Sequence, residues 1–261
     1  CRFLALVLLP VLPLSAMAAE LTLGVFADRP HEVVAAQFRP LAEYLGAALG
    51  GTAVRVRVID ADSADRALGY RELDFLLTDP AHFVRVRAQA DSGRVVATVL
   101  RPGDDRDLAV FGGVMFTLSD TIGVERLDDL AGLRIAVPGD CCLGAYQAQA
   151  RELALAGVQL PDDARLMQTG DQDRVIDLVL SGGAQVGFVR TGLLERLERE
   201  GRIDLQRLRV VNRQSLAGFP LALSTRLYPE WPFLVMRHLD DGLARRTAAA
   251  LLALEREHPA A

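Results

Sequence analysis

Apolar positions in the first third of the chain switch between two spacings, which predicts strands separated by helices. Residues 21–25 alternate between large and small side chains, and residues 54–58 alternate between valine and arginine. An alternating pattern of this kind predicts a strand. Between them, residues 38–49 place apolar side chains at helical spacing, and Gly50-Gly51 then ends the predicted helix. The run Phe75-Leu76-Leu77 predicts a short strand buried on both faces.

The same succession continues through the second half of the chain. Ile135-Ala136-Val137, Val186-Gly187-Phe188-Val189 and residues 208–211 are apolar runs, and each lies beside a stretch with helical spacing. Regular alternation of strands and helices is typical of α/β proteins. The sequence therefore predicts an α/β fold with mainly parallel sheets flanked by helices.

Two interruptions divide the chain into two predicted lobes. The turn at residues 102–105 precedes a predicted strand, residues 110–118, which contains Gly112-Gly113. A second strand, residues 208–212, leads into a polar stretch. If both are hinged crossings, residues 19–109 together with 209–261 form lobe 1, and residues 110–208 form lobe 2. Ligand sites in such sheets lie beyond the carboxyl ends of the strands, so we expect a site in the crevice between the lobes.

The first residues have the pattern of an export signal. Residues 3–14 are almost entirely apolar, Arg2 precedes them, and Ala16-Met17-Ala18 supplies small residues for cleavage. The apolar run is shorter than the roughly 20 residues of a membrane-spanning helix. We predict a signal peptide over residues 1–18 and a periplasmic location, and an uncleaved membrane anchor is the alternative.

Composition excludes several classes of function. All 29 cationic residues are arginine, and the formal net charge is −5. An acidic chain is a poor partner for nucleic acid, and without lysine it offers neither Schiff-base chemistry nor a P-loop. The four histidines, at positions 31, 82, 238 and 258, lack the spacing of zinc ligands. We therefore expect no metal and no cofactor.

Three segments together resemble phosphonate-type periplasmic binding proteins. They are the opening strand Leu21-Thr22-Leu23-Gly24-Val25 with residues 38–45 after it, residues 74–83, and residues 127–136 (LDDLAGLRIA). The resemblance extends over nearly all of the chain after the predicted signal peptide. It implies a two-lobed type 2 binding-protein fold, with each lobe built on its own sheet, that closes on a small ligand.

A narrower resemblance concerns the C-terminal half. Residues 187–195 (GFVRTGLLE) and 227–233 (LYPEWPF) are similar to binding-protein domains that membrane histidine kinases use as sensors. Proteins of that group continue into a membrane helix and a kinase core, whereas this sequence ends at Ala261 with no kinase motif. We expect a sensor domain, either a piece of a longer kinase or a free-standing module. The alternative partner is the permease of an ABC importer, for which the chain would be the soluble receptor.

The first two candidate ligand loops follow the first and third predicted strands. In the first, Asp28 and Arg29 stand together, and an arginine can offer a two-pronged hydrogen-bond donor to an oxyanion. A surface position is the alternative for Arg29. The second contains Thr78, Asp79 and His82, where backbone N–H groups and the threonine hydroxyl can bind an anion. Helix capping alone would explain Asp79, and packing alone would explain His82.

The third candidate loop contains Asp140, Cys141 and Cys142 before a predicted helix. Proteins of the resembled family usually place Ser or Thr hydroxyls here, and thiols are weaker donors. A helix N-terminus lowers the pKa of a thiol, although Asp140 acts against this. A sulfur-containing ligand or a redox role for the two thiols is one hypothesis, and simple packing beneath the loop is the other.

The fourth candidate set contains Asp171 and Gln172, together with Arg190 and Thr191. Arg190 directly follows a strand predicted to be buried, so it is the preferred contact for a phosphonate-like, carboxylate or sulfur oxyanion. The alternative is a solvent-facing Arg190 paired with Glu195. At the crossing, Gly112-Gly113 either lets the backbone approach the ligand or marks a simple bulge.

Enzymatic functions find little support in the sequence. No G-x-S-x-G, H-E-x-x-H, C-x-x-C or G-x-G-x-x-G pattern is present. A nucleophile pair of Cys142 and His82 across the crevice is conceivable, but no local pattern supports it. The predicted function is that of an extracytoplasmic sensor that closes on a small anionic ligand.

Overall fold

The computed structural model describes residues 20–27, 29–69, 71–88, 93–102, 107–140 and 142–261. The predicted signal peptide (residues 1–18), Asp28, Cys141 and most of the turn at 102–105 lie outside the described residues. None of the described helices combines the length and the apolar character that a bilayer crossing requires.

Strands and helices alternate along the described chain as the sequence predicts. The strands are β1 (Leu21–Phe26), β2 (Val54–Ile59), β3 (Phe75–Leu77), β4 (Arg94–Thr98), β5 (Val110–Phe111), β6 (Gly113–Leu118), β7 (Arg134–Val137), β8 (Arg165–Gln168), β9 (Val186–Arg190), β10 (Leu208–Val211), β11 (Tyr228–Pro229) and β12 (Pro232–Val235). The helices are α1 (His31–Ala48), α2 (Ala61–Gly69), α3 (Pro80–Ala88), α4 (Ala148–Leu155), α5 (Gln172–Leu180), α6 (Leu193–Arg199) and α7 (Asp241–Leu252). Short 3-10 turns cover Asp128–Leu130 and Leu205–Arg207, and a π-helical turn, Leu143–Gln147, precedes α4.

Two five-stranded sheets form the two lobes. The first has the order β2-β1-β3-β12-β4, and the second has the order β10-β6-β9-β7-β8. In each sheet two of the four neighbouring pairs are parallel and two are antiparallel. The antiparallel pairs involve β12 and β6, because each of these strands follows a crossing and runs against the strands of the βα units. The predicted two-lobed α/β architecture is confirmed, with sheets of mixed rather than mainly parallel pairing.

The crossings between the lobes consist of β5 and β11, which pair antiparallel as a two-stranded ribbon. Gly112 joins β5 of this ribbon directly to β6 of the second sheet. The predicted division between residues 208 and 209 falls inside β10, all of which pairs with β6 in the second sheet. The sequence places that boundary a few residues too early, because an apolar strand gives no local sign of the sheet it joins.

Buried aromatic residues mark the core of each lobe. In the first lobe, the rings of Phe75 and Phe233 lie 5.8 Å apart within a fully buried cluster. In the second lobe, Phe116 packs on one face of the sheet and Met115 on the other. This arrangement follows from strand geometry, since successive side chains point to opposite faces. The cores hold the strand ends in place, and the loops beyond those ends carry the candidate site.

Candidate functional site

Loops from both lobes face each other across the crevice, and three polar contacts join them. The first lobe contributes the loops after β1 and β3 and the residues between β11 and β12. The second lobe contributes the π-helical turn after β7, the start of α5 and the end of β9. Each contact joins a side chain of one lobe to a group of the other, so the contacts depend on how the lobes are oriented.

The first contact is a buried ion pair between Arg29 and Asp173. Arg29 Nε and Nη2 donate to the two carboxylate oxygens of Asp173, both at 2.8 Å. Arg202 donates to the same carboxylate at 2.6 Å. Burial alone would raise the pKa of Asp173, but the hydrogen bonds from the two arginines outweigh this and hold it below 3.8. Asp173 is therefore the ionised acid that occupies the predicted anion-binding fork of Arg29.

The second contact is made by Asp79, which is 2% exposed. Its carboxylate accepts hydrogen bonds from the backbone N–H of Ala81 at 2.8 Å and, across the crevice, from that of Leu143 at 3.2 Å. Burial raises the pKa of Asp79 to about 6, and the two N–H groups and the Arg190 charge reduce the increase without cancelling it. Asp79 thus caps its own helix, as the alternative interpretation of the sequence holds, and also joins the two lobes.

The third contact is a buried ion pair between Arg190 and Glu230. Arg190 Nη2 donates to Glu230 Oε1 at 2.7 Å, and the two residues are 7% and 2% exposed. The guanidinium carbon lies 4.8 Å from the ring centroid of Phe111 and 5.8 Å from that of Trp231. Arg190 is therefore buried among aromatic rings at the crevice, and the expected alternative of a solvent-facing side chain is wrong.

A small cavity remains where these contacts meet. This inter-lobe cavity has a volume of about 10 Å³ and is lined by Asp79, Phe111, Cys142, Gly144, Ala145, Gln172, Arg190 and Trp231. A cavity of this size holds about one water molecule. The indole nitrogen of Trp231 is buried and has no hydrogen-bond partner among the described residues. A buried donor without an acceptor carries a free-energy cost that a bound polar group would remove.

Cys142 contributes an apolar surface as well as a thiol. It is 9% exposed and belongs to the same apolar cluster as Phe111 and Trp231 of the first lobe. Its carbonyl oxygen accepts hydrogen bonds from the backbone N–H groups of Tyr146 and Gln147, which begin the π-helical turn. The thiol is therefore placed at the inter-lobe cavity by the turn that follows it.

The predicted hinge glycines lie against other parts of this chain. Gly112 and Thr191 exchange two hydrogen bonds, at 3.1 Å to the threonine hydroxyl and 3.0 Å between backbones. A Cβ atom on Gly113 would lie 2.4 Å from the side-chain carbon Cδ of Gln149. The absence of side chains at both positions thus allows close packing within the protein at the crossing.

The remaining predicted residues have local partners. Asp171 caps α5 by accepting from the backbone N–H of Arg174 at 3.0 Å. The hydroxyl oxygen of Thr78 lies 2.5 Å from Nδ1 of His82, whose ring stacks on Phe26 at 4.9 Å. Asp140 accepts a hydrogen bond from Gln147 through its carbonyl oxygen. Asp28 and Cys141 lie outside the described residues.

Asp173, Glu230 and Trp231 are among the residues at the site that the sequence did not single out, whereas Gln172 lies in the fourth candidate set, next to Asp171. Gln172 accepts a hydrogen bond from the backbone N–H of Arg190 at 2.8 Å and so holds the end of β9. Gln172 and Asp173 directly follow the predicted Asp171, so their place at the start of a crevice helix was a usable signal. Glu230 and Trp231 lie in a segment noted only for its resemblance, and nothing local connects them to Arg190.

The described residues contain no group of three or more His, Cys, Asp or Glu side chains placed to hold a metal ion. What the site offers instead is hydrogen-bond donors and matched charges between two hinged lobes. The two-lobed α/β fold itself is that of a periplasmic binding protein of type 2. Residues 23–261 match the family described as "ABC transporter, phosphonate, periplasmic substrate-binding protein". The chain belongs to this family.

Known relatives agree with this assignment. The chain is 27% identical over 239 residues to the tetrathionate sensor histidine kinase TtrS of Salmonella typhimurium, an alignment that covers 90% of this chain and 40% of TtrS. It also shares its fold with PhnD1 of Prochlorococcus marinus, solved with methylphosphonate, at a TM-score of 0.70 and 17% identity, covering 90% of this chain and 85% of PhnD1.

A further structural neighbour is the binding protein component of an ABC phosphonate transporter from Pseudomonas aeruginosa. Its TM-score is 0.70 at 13% identity, and the match covers 92% of this chain and 76% of that protein. The family and these neighbours are solute-binding proteins rather than enzymes, and the family description places its members in the periplasm. Any kinase activity would lie outside this chain.

Proposed function

We propose that this chain is the extracytoplasmic sensor domain of a two-component signalling kinase and that it closes on a small oxyanion. The relation to the tetrathionate sensor kinase supports this, because the matched region covers 90% of this chain. The chain spans 40% of the length of that relative, so the signalling part would lie outside the matched region.

The observation that carries the proposal is the set of three polar contacts between the lobes. Arg29 with Asp173, Asp79 with the N–H of Leu143, and Arg190 with Glu230 all form across the crevice. Separation of the lobes breaks all three at once. A ligand that contacts both lobes shifts this equilibrium by the difference between its affinities for the two arrangements, and that shift is the signal.

The donors at the crevice favour a negatively charged ligand. The inter-lobe cavity, at about 10 Å³, has room for about one water molecule, so we expect the lobes to separate before an oxyanion binds. Separation would make three donors available: the Arg190 guanidinium, the Leu143 N–H and the indole N–H of Trp231. An oxyanion would replace Glu230 and Asp79 as their acceptor and would bridge the second lobe to Trp231 of the first. Phosphonate-like, carboxylate and sulfur oxyanions all have this chemistry, and the name of the relative puts tetrathionate first among the probes.

A second candidate function is the soluble receptor of an ABC importer. The family description supports it, because that description names a transporter component. The neighbouring genes separate the two functions. A kinase core encoded downstream in the same reading frame supports the sensor, whereas a permease and an ATPase encoded nearby support the importer.

Tryptophan fluorescence provides a direct test, because Trp231 is the single tryptophan of the chain. Tetrathionate, thiosulfate, methylphosphonate and acetate are titrated separately at constant ionic strength. We expect saturable quenching or enhancement with at least one anion, and a gain in the free energy of unfolding of about 2.7 kcal/mol at 100 times its Kd.

Two variants locate the binding site. Trp231→Phe removes the indole N–H but keeps an aromatic ring, and we expect at least a tenfold weaker binding by calorimetry. Arg126→Gln is the matched arginine control, since its side chain is 80% exposed and interacts with the nearby carboxylates of Asp128 and Asp129 rather than with the crevice. Unchanged affinity in Trp231→Phe, or no response to any of the four anions, would contradict the proposal.

A further inference from the structure

A buried glutamine, Gln149, joins the two segments of the second lobe that carry donors to the crevice. It lies in α4 and is fully buried. Its side-chain Nε2 donates to the carbonyl oxygen of Gly144 at 2.9 Å and to that of Val189 at 3.0 Å. A carboxamide nitrogen carries two hydrogens, and these two bonds use both of them. One side chain therefore holds the π-helical turn against the end of β9.

The Gly144 carbonyl belongs to the turn that carries the first of these donors. Gly144 directly follows Leu143, whose backbone N–H donates across the crevice to Asp79 at 3.2 Å. The turn is π-helical, a geometry that is rare and frequent at functional sites. Because the Gln149 side chain binds the Gly144 carbonyl, it holds this turn and with it the direction of the Leu143 N–H.

The Val189 carbonyl leads directly to the second donor, the guanidinium of Arg190. The peptide group between these two residues is held on both sides. Its carbonyl accepts from Gln149, and its N–H donates to Oε1 of Gln172 at 2.8 Å. A peptide group is planar, so bonds to its two polar groups fix its orientation. Two glutamine side chains therefore set the direction in which the Arg190 side chain leaves β9.

The surroundings of the Gln149 carboxamide distinguish its two halves. Its nitrogen faces three carbonyl groups, since that of Val114 lies 3.4 Å away in addition to the other two. Its oxygen is buried and has no hydrogen-bond partner within the part of the chain that the structure describes. A buried acceptor without a donor costs free energy. The donor half is thus fully used and the acceptor half is not, which fits a side chain whose role is to hold those carbonyl groups.

We propose that Gln149 is a positioning residue that sets the spacing between the Leu143 N–H and the Arg190 guanidinium, and thereby determines which oxyanions the crevice accepts. This inference rests on the proposed function, in which both groups donate to the ligand. An oxyanion that bridges two donors requires a matching distance between them, because an N–H···O bond needs its heavy atoms about 2.7–3.2 Å apart. A single carboxamide that holds both supports fixes that distance before a ligand arrives.

Gly113 of β6 packs against the same carboxamide. An added Cβ on Gly113 would lie 2.4 Å from both Cδ and Nε2 of Gln149, so a side chain at position 113 displaces the carboxamide. Gly113→Ala therefore moves the group that Gln149→Met removes. The two variants test the inference independently, and each is informative if the other does not fold.

Titration calorimetry of the wild type and of Gln149→Met with tetrathionate, thiosulfate, methylphosphonate and acetate tests the inference. A methionine side chain is unbranched like glutamine and fills a similar space, but it donates no hydrogen bond. Misplacing one donor should weaken the strongest-binding anion about tenfold and reduce the ratio between the strongest and the weakest affinity about fivefold. A loss of stability alone changes neither value in protein that circular dichroism shows to be folded. Gly113→Ala should reduce the ratio in the same direction.

Thr117→Val is the matched control, because it removes a buried hydrogen bond from the same sheet away from the crevice. Thr117 is fully buried four residues along β6 from Gly113, and its hydroxyl donates to the carbonyl oxygen of Gln185 at 2.7 Å. We expect this variant to lose stability in urea unfolding and to keep the wild-type affinities for all four anions.

Three results would overturn this inference and leave the proposed function intact. They are wild-type affinities in either folded variant, a uniform loss of affinity that leaves the ratio between anions unchanged, and equal changes in Thr117→Val. If the wild type binds none of the four anions, the proposed function is refuted and this inference with it. The wild-type titration thus tests the proposed function, and the variants test the role of Gln149.

Discussion

Replacing Asp79 by asparagine should change how stability depends on pH. Burial raises the pKa of this carboxyl from its ordinary value of 3.8 to about 6. Between pH 4 and pH 6 the folded protein therefore holds a proton on Asp79 that the unfolded chain has released. The free energy of unfolding therefore decreases as the pH rises from about 4 to about 6, and it levels off above that range. Asparagine is neutral throughout and lacks this dependence.

The size of this pH dependence follows from the shift of the Asp79 pKa from 3.8 to about 6. A change of about two pKa units corresponds to about 3 kcal/mol at about 1.36 kcal/mol for each unit. Near pH 4 both proteins have a neutral side chain at position 79. The stability of Asp79→Asn relative to the wild type should therefore increase by about 3 kcal/mol between pH 4 and pH 7. Urea unfolding at four pH values, followed by circular dichroism, measures this difference.

Asp129→Asn is the control for the general effect of removing a carboxylate. The backbone N–H groups of Arg126 and Glu125 both donate to Asp129 and lower its pKa. The Asp129 carboxylate stabilises the folded protein above pH 4, and this stabilisation is lost only at lower pH. The difference in the free energy of unfolding between Asp129→Asn and the wild type should therefore stay constant from pH 5 to 7. A constant difference for Asp79→Asn over pH 4 to 7, or one of the opposite sign, would refute the reasoning about burial.

Three further predictions concern packing, the buried ion pair and a helix cap. Gly113→Ala should destabilise the protein by about 1–3 kcal/mol in urea unfolding, because the new Cβ would lie 2.4 Å from a buried side chain. In Gly139→Ala the new Cβ meets no atom within 4 Å, so the stability should change by less than about 0.5 kcal/mol in the same assay. Glu230→Gln should cost about 3–5 kcal/mol by leaving Arg190 buried without a carboxylate, and an unchanged melting curve would show that the pair is not buried in solution. Asp240→Ala should lower the midpoint of urea unfolding, since its side chain caps α7 by accepting from the backbone N–H of Leu243, and Asp240→Asn should recover most of that loss in the same assay.

The structure confirms much that local patterns in the sequence indicate. Alternation predicts β1 and β2, an uninterrupted apolar run predicts β3, and helical spacing predicts α1. These patterns are readable because the period of a strand and that of a helix are fixed by backbone geometry. The glycine pair at the crossing was also visible in the sequence, because a strand interior rarely contains two glycines.

The ion-pair partners of the two crevice arginines could not be predicted from the sequence. The expected anion-binding fork of Arg29 is occupied by Asp173, which is 144 positions away in the chain, and Arg190 is bound by Glu230, 40 positions away. No periodicity relates residues at such distances. The sequence could place an arginine at the end of a strand but could not tell whether an acid of the same protein would meet it.

The sequence by itself determined the succession of strands and helices and the glycine pair at the first crossing. Each of these depends on residues within one or two turns of each other. Only the tertiary structure decided that charges at the crevice are matched in pairs between the lobes, Arg29 with Asp173 and Arg190 with Glu230. Charge pairing is a property of distance in space, and folding sets those distances by packing the two cores rather than by any local pattern.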